Sequence, residues 1–223
     1  MPQDSAFPAV LEVDYPERDL DRITTFFRLL AFIPIGVILV LLSGPTSGGG
    51  PDKEAVDSGR TAIQVLGPGG VLFLPTVLML LFRRKYPRWW FDWNLEFTRF
   101  STRCMVYLAL LRDEYPSTDE EQAVYLDIPY PDATVELNRY LPLVKWLLAI
   151  PHYFVLCLLS VAAVACVIVA WLAILFTGRY PPTLFDFVVG VFRWSLRVGA
   201  YAFLLTTDRY PPFNLGRDEG SAA

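Results

Sequence analysis

The chain repeats itself, so any fold it adopts has to place two similar halves. Tyr15-Pro16 is answered by Tyr130-Pro131, and Arg22, Arg28, Ile33 and Pro34 fall at one constant offset on Arg139, Lys145, Ile150 and Pro151. Lys85-Tyr86-Pro87 falls on Arg179-Tyr180-Pro181. From there Phe91, Asp92, Arg99, Ser101, Arg103, Tyr107 and Leu111 fall, again at one offset, on Phe185, Asp186, Arg193, Ser195, Arg197, Tyr201 and Leu205. Register kept across that many polar and special residues predicts a tandem duplication, 1–121 and 122–223. A residue type kept in both halves is then expected to serve the shared architecture before any unique active site.

Hydropathy decides the environment. With 54% hydrophobic residues, 16 Phe, 11 Tyr and 6 Trp, the chain is too apolar for an ordinary soluble domain of 223 residues. Crossing the hydrocarbon core takes about 17–25 apolar residues. Ile63 to Phe82 carries no charge and qualifies; Phe26 to Leu42 is shorter, with Arg28 placed to snorkel. The Gly- and Pro-rich stretch Ser43 to Arg60 between them predicts a hairpin of spans 26–42 and 63–82. In the second half Leu141 to Thr177 is apolar for almost twice one crossing, and by analogy with the first half it is expected to turn near Ser160, giving spans 141–160 and 161–177. Leu158 to Ala165 holds no strong turn residue, so one long helix kinked at Pro151 is the alternative.

Charge sets the expected orientation. Arg18, Arg22 and Arg28 precede the first span and Arg83, Arg84, Lys85 and Arg88 follow the second, against Lys53 and Arg60 between them. Arg139, Lys145 and Arg179 flank the second apolar region in the same way. A multi-pass protein of the inner (cytoplasmic) membrane with cytoplasmic termini is expected. The acidic N-terminus lacks the basic region and cleavable apolar core of a secretory signal.

Three elements recur outside the spans. Leu11, Val13 and Tyr15, and again Leu126, Ile128 and Tyr130, alternate with polar residues or Pro, the period of a strand. Two short strands that pair and tie the halves together are one reading, and two extended linkers the other. Tyr-Pro steps at Tyr15, Tyr86, Tyr115, Tyr130, Tyr180 and Tyr210 read as helix stops at the headgroup level. The third element is a helix over about 91–111 and its counterpart over about 185–206. Asp92, Glu96, Arg99 and Arg103 share one face of the first, as Asp186, Gly190, Arg193 and Arg197 do of the second, amid aromatics such as Trp93 and Trp194. Arg on the polar face and aromatics on the other describe an amphipathic interfacial helix, although Val188 to Leu205 is apolar enough to span. The fold class is thus an all-α integral membrane protein: two tandem copies of a membrane hairpin plus an interfacial helix, with two short strands at the surface.

Arg179-Tyr180-Pro181, Leu184-Phe185-Asp186-Phe187, Arg193-Trp194, Arg197-Val198, Ala200-Tyr201 and the closing Thr207-Asp208-Arg209-Tyr210-Pro211-Pro212-Phe213 resemble a family of bacterial membrane proteins catalogued as a domain of unknown function (domain of unknown function 4389). The resemblance covers nearly the whole chain, as two tandem copies. The first half departs from it: Trp89-Trp90 replaces small residues, and Glu114-Tyr115-Pro116-Ser117 lacks the second Pro and the Phe. The resemblance implies a repeated membrane domain and no activity.

The residues offer no catalytic set. His152 is the single histidine, and Cys157 and Cys166 do not form a CxxC pair, so neither a zinc set nor a redox pair exists. Gly67-Pro68-Gly69-Gly70 lacks the lysine of a phosphate loop. Basic residues track membrane edges instead of a soluble face, which argues against nucleic-acid binding. A non-enzymatic scaffold or accessory subunit of a membrane complex, without cofactor or metal, is the leading expectation. Its partners would be anionic membrane lipids, another membrane protein or a second copy of itself. Lipid binding or membrane organisation, and a small transporter or channel component, are the alternatives. Arg99, Arg103, Arg193 and Arg197, with Trp93 and Trp194, are the candidate lipid or partner contacts. Arginines four apart on a face can fork around a phosphate or pair internally with Asp92, Glu96 and Asp186.

Overall fold

Alternating Leu11, Val13, Leu126 and Ile128 bury one side of a two-stranded ribbon. In the computed structural model, which describes residues 7–16, 18–42, 73–117, 122–133 and 137–216, β1 (Val10–Val13) and β2 (Val124–Asp127) run antiparallel, with Leu11 opposite Leu126 and Val13 opposite Val124. The pairing settles the strand question in favour of a tie between the halves. A lone hairpin is marginal in water, and this one leans on helices: β1 packs on α6 and β2 on α3.

The rest is mostly helical: α1 (Arg22–Leu42), α2 (Phe73–Leu78, continuing as a π-helix over Met79–Arg83), α3 (Arg88–Leu108), α4 (Pro142–Leu148), α5 (Ile150–Thr177) and α6 (Pro182–Ala202). Pro87 and Pro181 stand just before α3 and α6, where a missing amide proton costs nothing. α5 ends at Gly178, whose φ of 77° suits glycine, and its N–H closes on Ile174. α1 bends by 50° between Arg22–Arg28 and Leu30–Leu39. Pro34 explains the bend, since its ring crowds the carbonyl four residues back, at Leu30. The equivalent Pro151 follows the break between α4 and α5.

Two expectations are corrected. The hairpin expected to turn near Ser160 is a single helix: α5 runs unbroken from Ile150 to Thr177, because the apolar run between Leu158 and Ala165 offers nothing to stop it. The alternative of one long helix is met over Ile150–Thr177, while 142–148 forms a separate helix that ends before Ala149. The second correction concerns the helix expected over 185–206 as an interfacial element. α6 is buried nearly all round, with Val188, Val191, Arg197, Ala200 and Tyr201 sealed, because β1, α5 and the C-terminal segment cover it. α3 keeps an open side, carrying Trp89, Asp92, Trp93 and Glu96. The expected loop 43–60 and the first half of the expected span 63–82 lie outside the described residues.

By length and composition, α5 is the one helix among the described residues able to cross a membrane, and α1 is a second if its bent halves count as one span. At about 1.5 Å per residue α5 is about 42 Å long, against about 30 Å of hydrocarbon. Only 17% of its most apolar stretch is buried against the chain, so α5 presents most of that surface outward. Phe154, Val161 and Phe176 stand 69, 68 and 80% exposed.

Contacts recur in matched pairs. The Tyr15 hydroxyl donates to the Tyr180 carbonyl and its ring meets Phe185 edge-on at 5.0 Å; the Tyr130 hydroxyl donates to the Tyr86 carbonyl and its ring meets Phe91 at 5.2 Å. Arg28 pairs with Asp113 and lies 4.6 Å over Tyr107; Lys145 pairs with Asp208 at 2.6 Å and lies 5.2 Å over Tyr201. Asp113 also takes the Asp21 N–H at 2.8 Å, and Asp208 the Asn138 N–H at 2.6 Å. Each cation further donates to backbone carbonyls at or beyond a helix end, Arg28 to Tyr107 and Arg112, Lys145 to Thr207. Ile35 lies on Phe100 and Cys104 as His152 and Leu156 lie on Trp194 and Val198.

Candidate functional site

The arginines of α6 face inward. Arg193 is 8% and Arg197 1% exposed. Arg193 donates through Nε to the Leu11 carbonyl of β1 at 3.1 Å and through Nη1 to the Leu215 carbonyl at 3.1 Å. Arg197 holds the Asn214 and Gly216 carbonyls at 3.1 and 3.0 Å. In the first half Arg99 reaches the Leu126 carbonyl of β2 at 3.0 Å, and Arg103 the Ser117 carbonyl at 2.8 Å. Each half's helix therefore holds the strand that begins the other half. Glu96 pairs with Arg99 at 2.6 Å, as the internal-network reading expects, and Asp127 stands at 3.6 Å. Arg193 and Arg197 donate to backbone carbonyls, acceptors that the spacing with Asp186 does not announce. In the second half both guanidinium groups are thus buried and engaged within the chain.

The tryptophans part company. Trp93 is 40% exposed, stacked on Phe97 at 5.5 Å and Trp90 at 5.8 Å. Trp194 is buried and donates through Nε1 to His152 Nδ1 at 3.2 Å, while Phe213 stacks on the imidazole at 4.0 Å. His152 is thus seated as a packing residue. Among the described residues no group of three or more His, Cys, Asp or Glu side chains sits close enough to hold a metal ion. Cys104 is sealed on α3, and burial pushes its thiol up to about 12, out of reach of thiolate chemistry at neutral pH.

A groove between the halves has room for a ligand. Its volume of about 690 Å³ falls within the ~300–1,000 Å³ usual for ligand sites. α3 and α6 form its two long walls, with Thr98, Ser101 and Met105 from one and Val191, Ser195 and Gly199 from the other. Ser101 and Ser195 are the matched pair of the sequence repeat. Ala163, Val167 and Trp171 of α5 line it, as do Thr25, Phe26 and Arg28 of α1. The lining is overwhelmingly apolar, and the rim is open to the side where Phe26, Val164 and Ile168 are exposed.

Polar atoms in the groove fall into two classes. Thr98 Oγ1 donates to the Asn94 carbonyl and Ser195 Oγ to the Val191 carbonyl, the backbone bonds a helix offers its own hydroxyls. Thr25 Oγ1, Ser101 Oγ and Arg28 Nε are buried atoms without such a bond. Thr25 and Arg28 are one turn apart on α1 and each only 2% exposed. The serine pair is visible in the sequence register, but it carries no sign of a cavity; Thr25 has no equivalent hydroxyl, and Gly199 no equivalent glycine.

A family described as a domain of unknown function (DUF4389) matches residues 142–214, from the start of α4 to the C-terminal segment. The likeness expected over nearly the whole chain is found as matched there. No curated protein and no solved structure matches the chain.

Proposed function

We propose that the protein is an integral membrane protein of two tandem copies that acts as a non-enzymatic scaffold or accessory subunit of a bacterial inner-membrane complex. The observation that carries this reading is α5, long and apolar enough to cross, with only 17% of its most apolar stretch covered. Soluble monomers rarely expose contiguous apolar patches beyond a few hundred Å². A bilayer covers such a surface, and a partner's helices can share it. The matched contacts of the two halves, Arg28–Asp113 with Lys145–Asp208 and Arg99–Leu126 with Arg193–Leu11, support the duplication. α1 starts where α5 ends, with the Leu20 N–H on the Gly178 carbonyl at 2.8 Å. Arg18, Arg22 and Arg179 gather at this junction, which supports a cytoplasmic face for it and for the N-terminal tail.

Two measurements test the reading. The tagged protein should resist alkaline carbonate extraction from membranes and co-purify in mild detergent with a partner in fixed stoichiometry. Release by carbonate overturns the membrane reading, and recovery as a lone monomer overturns the scaffold. For orientation, a membrane-impermeant thiol reagent on intact cells lacking native cysteines should modify Ser47→Cys and spare Asp14→Cys. The reverse pattern refutes a cytoplasmic N-terminal tail.

A further inference from the structure

We infer that the groove between α3 and α6 is a lipid site that takes one ester-linked acyl chain of a glycerophospholipid, with the ester carbonyl held by Thr25, Ser101 and Arg28. The inference rests on the membrane reading above for the source of the lipid. Three features choose this occupant. The trough is about 690 Å³ and almost wholly apolar, which fits a flexible hydrocarbon chain and excludes a polar solute. It opens beside Phe26, Val164 and Ile168, exposed side chains that belong to the surface offered to lipid, so a chain can enter sideways from the bilayer. Thr25 Oγ1, Ser101 Oγ and Arg28 Nε are buried donors with no acceptor among the described residues, and an unmatched buried donor is costly until something accepts from it.

The charge around those donors selects an ester over a free acid. Arg28 is already neutralised by Asp113 and donates to the Tyr107 and Arg112 carbonyls. Its spare Nε–H therefore points from a balanced ion pair, suited to a neutral carbonyl oxygen. A second carboxylate there would meet the charge of Asp113. Gly199 supplies the width. A Cβ at this position would meet nothing within 4 Å, so the glycine leaves a gap in the α6 wall that the fold does not fill.

The test uses the full chain in dodecylmaltoside micelles containing phosphatidylcholine with a diazirine in its sn-2 acyl chain; the zwitterionic head removes any general attraction to basic residues. After illumination, adducts mapped by mass spectrometry should concentrate on the groove walls, residues 98–110 and 188–204, and should fall with unlabelled lipid. Gly199→Phe should abolish the groove adducts and Gly199→Ala should keep them, both with a parental unfolding midpoint or better. Thr25→Val and Ser101→Ala should each weaken labelling by about fivefold, the worth of one hydrogen bond. Val161→Phe, on the exposed side of α5, should change nothing.

Adducts spread along Phe154 to Phe176 and indifferent to Gly199→Phe overturn the groove site. Stronger competition by oleate than by unlabelled phosphatidylcholine shows a free fatty acid to be the occupant and overturns the ester. Because the labelling is done in micelles, carbonate release of the parent from membranes sinks the membrane reading without deciding the groove, and scattered adducts on a membrane-retained parent sink the groove alone.

Discussion

Two glycines nine residues apart on α6 should respond to the same methyl group in opposite directions. In a helix, glycine to alanine gains about 0.5–1 kcal/mol through the entropy of the unfolded chain. At Gly199 the new Cβ meets nothing within 4 Å, so Gly199→Ala should realise that gain. At Gly190 the Cβ would stand 2.9 Å from the Leu215 carbonyl oxygen and 3.1 Å from Leu215 Cβ. That oxygen is the one Arg193 holds, and its neighbours Asn214 and Gly216 are held by Arg197. Backbone pinned by three charge-assisted bonds cannot step aside freely. Losing one of the three costs about 1.5–3 kcal/mol, so Gly190→Ala should be destabilising by about 1–2 kcal/mol after the helix gain. For a chain of this size that is a Tm lower by about 2–8 °C, with Gly199→Ala higher by about 1–4 °C. Scanning fluorimetry on the tryptophans in one detergent and at one scan rate reads both. Trypsin should also cut at Arg209 sooner in Gly190→Ala as the C-terminal segment loosens. If both variants shift the same way, the close approach of Leu215 to α6 is not what fixes Gly190.

Further outcomes follow from the buried charges and the sealed thiol. Asp208→Asn leaves Lys145 without its counter-ion at full burial and should cost about 3 kcal/mol, more than Lys145→Met, which removes the charge itself; equal losses in a denaturant titration would show that the ion pair is unimportant. Arg193→Ala should cost more than Arg99→Ala, since Arg193 is 8% exposed and Arg99's side chain 31%, and hydrogen exchange in β1 should accelerate in the first variant; identical behaviour of the two would mean burial does not set their weight. Cys104 should resist iodoacetamide at pH 8 until the protein unfolds, as peptide mass spectrometry will show. Its folded pKa, raised from 9.0 to about 12, contributes stability that is complete below 9 and lost as pH climbs toward 12, so Cys104→Ala should flatten that part of the pH profile.

Part of this architecture is legible in the residues. The alternation around Leu11 and Leu126 announces two strands, and the partner each finds is the other, because only the other offers a matching apolar face. α5 was harder. Analogy with the first half predicts a turn near Ser160, but local chemistry decides, and an apolar run without Gly, Pro or Asn stays helical. The arginines show a different limit. Spacing puts Arg193 and Arg197 on one face, but it cannot say whether that face meets water, phosphate or carbonyls, since the acceptors at Leu11 and Leu215 come from distant sequence. The groove was hidden for the same reason: Ser101 and Ser195 are aligned in the repeat, while the gap between them exists only once α1, α3, α5 and α6 are assembled.

The exchange of strands has a consequence for how the chain is made. Arg193 grips Leu11 across 182 residues, so β1 leaves the ribosome long before its anchor exists. At about 5–20 residues per second, the wait is roughly 10–40 s. Throughout it, β1 is an unpaired edge until β2 emerges, and an unanchored one until α6 does, which is the condition that invites wrong pairings between nascent chains. A pause or truncation between β2 and α6 therefore does more harm than its position suggests: it releases a first half in which α3 backs β2 through Arg99, while β1 has no α6 behind it. The same wiring gives the cell a simple checkpoint, because a chain in which Arg193 has closed on Leu11 has, by that contact, been translated almost to its C-terminal segment.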